Sequence, residues 1–89
     1  MKRVHIFYSG DVQGVGFRFT AVDVAQKFGV TGWVKNRAGG EVELVAEGED
    51  PTLNRFIEDL NSEMSYYIRD KKVNFEPPTG EFVNFRIQF

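Results

Sequence analysis

The chain has no cysteine, one histidine and one tryptophan in 89 residues. Without cysteine there is no disulfide staple, no thiol nucleophile and no thiolate metal site, a composition that fits a reducing compartment. Long apolar runs are also missing. No segment approaches the ~18 apolar residues that a membrane span requires, and the opening MKRVHIFYSG, broken by His5 and Ser9, does not match a secretory signal. Nor is there an excess of one charge: 11 basic and 13 acidic residues give a net charge of −2. That leaves no broad basic footprint for nucleic acid. These absences lead us to expect a cytoplasmic monomer with no membrane or nucleic-acid partner and with room for one small, local anion site.

The residues present are enough for one domain, residues 1–89. A domain of this size buries only about 60–65% of the surface its unfolded chain exposes, and nine phenylalanines help to make that core efficient. Residues 3–9 alternate, with Val4, Ile6 and Tyr8 opposite His5, Phe7 and Ser9, and predict a strand. Residues 18–28 place Ala21, Val22, Ala25 and Phe28 on one helical face, and Gly29 supplies a stop. Residues 31–36 and 41–47 predict two strands joined through Arg37, Ala38, Gly39 and Gly40. Glu41, Glu43 and Glu47 then form a solvated row opposite Val42, Leu44 and Ala46. Asp50 predicts an N-cap before Pro51, and Leu53, Phe56, Ile57 and Leu60 form the buried stripe of a second helix. Residues 71–76 and 83–89 predict two further strands, whereas residues 62–70 have no firm pattern. The resulting order is α+β: a ferredoxin-like split βαβ sandwich, with two helices on one face of a largely antiparallel sheet.

The stretch GDVQGVGFR lies between the first strand and the first helix. A helix start leaves N–H groups unpaired and carries about half a positive charge, so it suits an anion. Gly14 and Gly16 can adopt positive φ, which lets the N–H groups of Gln13, Gly14, Val15, Gly16, Phe17 and Arg18 converge. The Arg18 guanidinium adds a fork suited to phosphate. Alternatively, the glycines only permit a tight turn and Arg18 is solvated. The loop lacks the Lys-Ser/Thr of a nucleotide P-loop and the spacing of a dinucleotide fingerprint, so any phosphate is small. GVGFRF also matches part of an RNA-binding strand motif, but here it precedes a helix. Asn36 alone reads as a turn former at a strand end, His5 as a structural strand residue, and Trp33 as packing or as a contact near the site.

VQGVGFR, followed by TGWVKN, by VELVAEG and by PTGEFVNFRI, closely resembles the acylphosphatase family along essentially the whole chain. The resemblance implies a ferredoxin-like fold and hydrolysis of small acyl phosphates, without a metal or cofactor. It implies that Arg18 binds the phosphate, that Asn36 positions the attacking water, and that the N–H groups of Gln13, Gly14, Val15, Gly16 and Phe17 form the cradle. Asp11, which would repel a phosphate, is expected to point away. The alternatives are a non-catalytic small-anion domain and a carbamoyl-phosphate-binding domain. The chain departs from the family pattern at SEMSYYIRDKK and in the turn after Asn36.

Overall fold

The computed structural model describes residues 1–89. The elements are β1 (Lys2–Gly10), α1 (Phe17–Phe28), β2 (Thr31–Asn36), β3 (Val42–Gly48), α2 (Asp50–Glu63), β4 (Ile68–Glu76) and β5 (Phe85–Gln88). They form a single sheet in the order β4-β1-β3-β2-β5. β1 pairs antiparallel with β3 and β4, and β2 pairs antiparallel with β3. Each βαβ crossover therefore skips a position that the other fills, which gives the split arrangement read from the sequence. The fifth strand modifies it: β5 pairs parallel with β2, from Gly32–Phe85 to Lys35–Gln88.

Strand alternation selects the face that meets the helices. Val4, Ile6 and Tyr8 of β1, Val34 of β2, and Val42, Leu44 and Ala46 of β3 form one core with Ala21, Val24, Leu53, Phe56 and Leu60 of the helices. Fully burying an aliphatic or aromatic side chain of this size contributes roughly 1.5–3 kcal/mol, so this layer supplies most of the driving force. The Tyr8 ring lies 4.8 Å from that of Phe17, and its hydroxyl donates to Asn61 Oδ1 at 2.8 Å. β1 is thereby tied to both helices.

The other face departs from the sequence reading. Glu43 and Glu47 are buried, with relative exposures of 7% and 2%, rather than forming a solvated row. The chain crosses from β4 at one sheet edge to β5 at the other, and this crossover covers Glu47, while the side chains of His5 and Arg37 meet Glu43. Thr79 N–H and Gly80 N–H donate to the Glu47 carboxylate at 2.8 and 2.9 Å, and Arg3 Nη1 lies 3.2 Å from it. Arg3 also pairs with Glu76 and Glu81. The His5 ring sits between Glu76 and Glu43, at 3.0 and 2.6 Å. Alternation located these side chains on the correct face but could not show what covers it.

Smaller corrections have local causes. The cap of α2 is Glu49, with Asp50 in the first turn. Residues 62–70 finish α2, turn, and begin β4 at Ile68. The last strand is shorter than residues 83–89, because only Phe85 to Gln88 find partners along β2; Val83 and Phe89 are exposed.

Candidate functional site

The loop from β1 to α1 is fixed at several points. Val12 and Phe17 are buried in the core, and Asp11 N–H donates to Tyr67 O at 3.0 Å. Gly10 passes so close to the start of β4 that a Cβ there would meet Tyr67 O at 2.5 Å and Arg69 N at 2.7 Å. Residues 62–70 thus provide the wall against which the loop is set. No sequence signal pointed to that role, because the acceptor is a backbone carbonyl.

Gly16 caps α1 with φ 79° and ψ 18°, and the first turn has neither a capping side chain nor an acidic residue. The N–H groups from Gln13 to Phe19 donate to no protein acceptor. A helix start with these features has an unsatisfied positive end. Arg18 in the same turn carries the wrong charge for the helix dipole. Its guanidinium forms no ion pair or hydrogen bond and lies 5.5 Å from the centre of the Phe89 ring.

A cavity of about 180 Å³ opens at this end of α1, lined by Val12, Gly14, Gly16, Phe17, Arg18, Phe19 and Asn36. It is smaller than the roughly 300–1,000 Å³ of pockets that enclose drug-sized ligands, so its size suits a small group. Asn36 enters from the end of β2, on the face that Val34 shares with the helices. Its amide oxygen is buried without a hydrogen-bond partner. A buried acceptor left unpaired costs free energy, and a donor held in the cavity would recover it.

Arg18 and Asn36, singled out from the sequence, therefore meet at one cavity, together with Gly14, Gly16 and Phe17. The side chains of Gln13 and Val15 turn away from it. Val15 packs against the core, and the Gln13 amide turns to the β2–β3 connection. Asp11 is exposed. The cavity wall also includes Phe19, 69% exposed, which the sequence reading did not assign. Trp33 faces the opposite side of the sheet, in a second cleft of about 180 Å³ with Phe82, Asn84 and Arg86. That cleft contains neither the free loop N–H groups nor Asn36, so chemistry rather than size distinguishes the two. His5 also belongs to the far face and is not part of the site.

Three carboxylates of the far face titrate below their usual range. Burial opposes ionisation of Glu43, but hydrogen bonds from His5 and Arg37 outweigh it. Burial likewise opposes ionisation of Glu47, and the Thr79 and Gly80 N–H groups with Arg3 overcome it. For Glu76 the hydrogen bond from His5 is the leading cause.

The fold and cavity define a class: a ferredoxin-like α+β domain with an anion-receptive loop at a helix start. The family model described as acylphosphatase matches residues 4–87. Acylphosphatases of Pediococcus pentosaceus and Syntrophus aciditrophicus are 46% and 43% identical, each over all of this chain, covering 100% and 94% of those proteins. The chain belongs to the acylphosphatase family. The crystal structure of Bacillus subtilis acylphosphatase superposes with a TM-score of 0.92 at 34% identity, with both chains covered in full. T. kodakarensis HypF matches with a TM-score of 0.84 at 33% identity, over all of this chain and 12% of that one. No helix is long and apolar enough to cross a membrane.

Proposed function

We propose that this chain is a metal-independent acylphosphatase that hydrolyses the carboxyl-phosphate bond of small acyl phosphates to carboxylate and inorganic phosphate. The observation that carries the reading is a single cavity facing an unpaired guanidinium, Arg18, and an unpartnered amide oxygen, Asn36. An acyl phosphate is a mixed anhydride whose leaving group is a weakly basic carboxylate, so no general acid is needed. Positioning and charge stabilisation then dominate, as in phosphoryl transfer generally. Arg18 and the N–H groups of residues 13–17 hold the non-bridging oxygens. The Asn36 amide oxygen accepts a hydrogen bond from water and sets it in line with the scissile bond.

Water oxygen bonds to phosphorus, the bond from phosphorus to the carboxylate oxygen breaks, and its electron pair leaves with the carboxylate. The amide of Asn36 is too weak a base to take the water proton, which passes to a phosphate oxygen. On the same reading the protein is a cytoplasmic monomer that acts on small molecules.

Hydrolysis of acetyl phosphate in the presence of a chelator tests this for wild type, Arg18→Ala and Asn36→Ala. Arg18→Ala weakens inorganic phosphate binding and lowers rate together. Asn36→Ala lowers kcat with little effect on phosphate affinity, by about 10²-fold if orientation is its role. Full activity in either variant would refute the assigned roles, and loss of wild-type activity with chelator would refute metal independence. The match to 12% of T. kodakarensis HypF shows that this domain also occurs inside a much longer chain, which leaves room for a second reading, a non-catalytic domain that binds a small anion or a carbamoyl phosphate. Phosphate binding by a folded wild type that turns over no acyl phosphate would favour that reading.

A further inference from the structure

Gln13 contributes a backbone N–H to the proposed cradle, but its side chain points elsewhere. The Nε2 amide donates to Arg37 O at 2.7 Å and to Glu41 O at 2.9 Å. Both partners are carbonyls, so only the NH2 end of the amide can face them. These two carbonyls also close the β2–β3 turn: Gly40 N–H donates to Arg37 O at 3.1 Å, and Arg37 N–H to Glu41 O at 2.8 Å. A carbonyl oxygen has two lone pairs and a primary amide two hydrogens. The turn and Gln13 together use all of them.

Arg37 directly follows Asn36 and is also held through its side chain. Its Nη1 donates at 2.7 Å to Glu43, whose side chain is 10% exposed. The turn is therefore held to the sheet by Glu43 and to the phosphate loop by Gln13. The two bonds from Gln13 are the only hydrogen bonds between the loop and the turn.

We propose that Gln13 is a positioning residue: its side-chain amide clamps the β2–β3 turn, and with it Asn36, to the loop that presents Arg18 and the free N–H groups. The catalytic consequence rests on the hydrolytic reading above. The cradle and the water-holding amide come from different elements, and attack in line with the scissile bond depends on their separation. A displacement of about 1 Å at a reacting centre costs on the order of 10²-fold in rate.

The test compares wild type, Gln13→Ala and Gln13→Glu by three measurements: kcat for acetyl phosphate from mildly acidic to neutral pH, the Kd of inorganic phosphate, and amide hydrogen exchange. Gln13→Ala lowers kcat by roughly 10- to 100-fold while the phosphate Kd changes by less than about threefold, a loss confined to the transition state. In Gln13→Glu the ionised carboxylate faces two carbonyl oxygens and cannot donate. Its kcat relative to wild type rises as pH falls toward the ordinary carboxylate range near about 4.3, where the protonated acid donates one bond. Asp11, Arg18, Arg37 and Glu41, the other titratable side chains of the loop and turn, are common to all three proteins, so the ratio isolates residue 13.

A flat ratio overturns the proposal, as does wild-type kcat in Gln13→Ala or a phosphate Kd that worsens in step with the fall in kcat. If the wild type hydrolyses no acyl phosphate, the hydrolytic reading fails but the clamp remains open to measurement. Exchange of the Arg37 and Gly40 N–H groups should accelerate at least roughly two- to tenfold in Gln13→Ala, since each of their acceptor carbonyls loses one of the two bonds from Gln13. Unchanged exchange overturns the clamp itself.

Discussion

Replacing Glu47 by alanine tests how the helix-free face is held together. The Glu47 side chain is 1% exposed and accepts hydrogen bonds from Thr79 N–H, Gly80 N–H and Arg3. Alanine would leave two backbone donors without their acceptor and Arg3, 17% exposed at the side chain, short of one of its carboxylates. Arg3 keeps Glu76 and Glu81, so no charge is left bare. The cost comes from the hydrogen bonds to a buried carboxylate, about 1.5–3 kcal/mol each. Together they come to roughly 2–4 kcal/mol, because Thr79 and Gly80 are exposed and their N–H groups can turn to water. A domain of this length has roughly 5–13 kcal/mol in total, so the variant loses about a sixth or more of its stability. Each kcal/mol is worth about 4–8 °C in Tm for a domain of this size, which puts the expected fall above about 8 °C. Urea and thermal unfolding measure it. Glu47→Gln keeps an acceptor oxygen and should fall between. Because Glu47 lies on the far face from the cavity, the folded variant should keep kcat within about twofold. A loss below about 1 kcal/mol, the range of an exposed ion pair, would refute the reasoning and restore the solvated row that alternation alone suggests.

The depressed carboxylates set an acid limit. Glu43, Glu47 and Glu76 ionise more readily folded than unfolded. Just below the ordinary carboxylate value of about 4.3 the unfolded chain therefore binds more protons, and stability falls as pH drops. Urea midpoints should decline below about pH 5, less steeply in Glu47→Gln; a midpoint that keeps rising as pH falls below about 4 would contradict this. At Gly16 a Cβ would meet nothing within 4 Å, but φ is 79°. Gly16→Ala should therefore cost about 1–2 kcal/mol through backbone strain alone and weaken inorganic phosphate binding, measured by titration. Unchanged stability and affinity would show that this φ is not needed.

The order of elements and the core stripe were legible because both follow from local periodicity. The loop was legible because a helix start has a known polarity, and the pairing of Arg18 with Asn36 entered through family resemblance rather than residue type. Contacts distant in sequence gave no local signal. Glu47 of β3 reads as exposed in the sequence because the crossover from β4 to β5 that lies over it depends on Phe85 and Ile87 pairing beside β2 rather than beside β4. Gln13 was read for its N–H because a glycine-rich loop suggests a backbone cradle. Its side-chain partners are carbonyls of Arg37 and Glu41, groups every residue carries and no pattern marks.

On the proposed hydrolytic reading, the cavity selects the phosphoryl group more firmly than the acyl group. The parts that can hold oxygens are fixed: Phe17 and Val12 are buried, Asp11 N–H is bound to Tyr67, and Asn36 sits at the end of a paired strand. Phe19, which lines the cavity, is 69% exposed, and Phe89, beside Arg18, is 99% exposed, so neither encloses a group attached to a phosphate held there. A small carboxylate leaving group needs no enclosing wall, since it departs as a weakly basic anion into water. On that reading binding free energy is concentrated on oxygens that change charge during the reaction, where it lowers the barrier, rather than on atoms that do not, where it would tighten substrate and transition state alike.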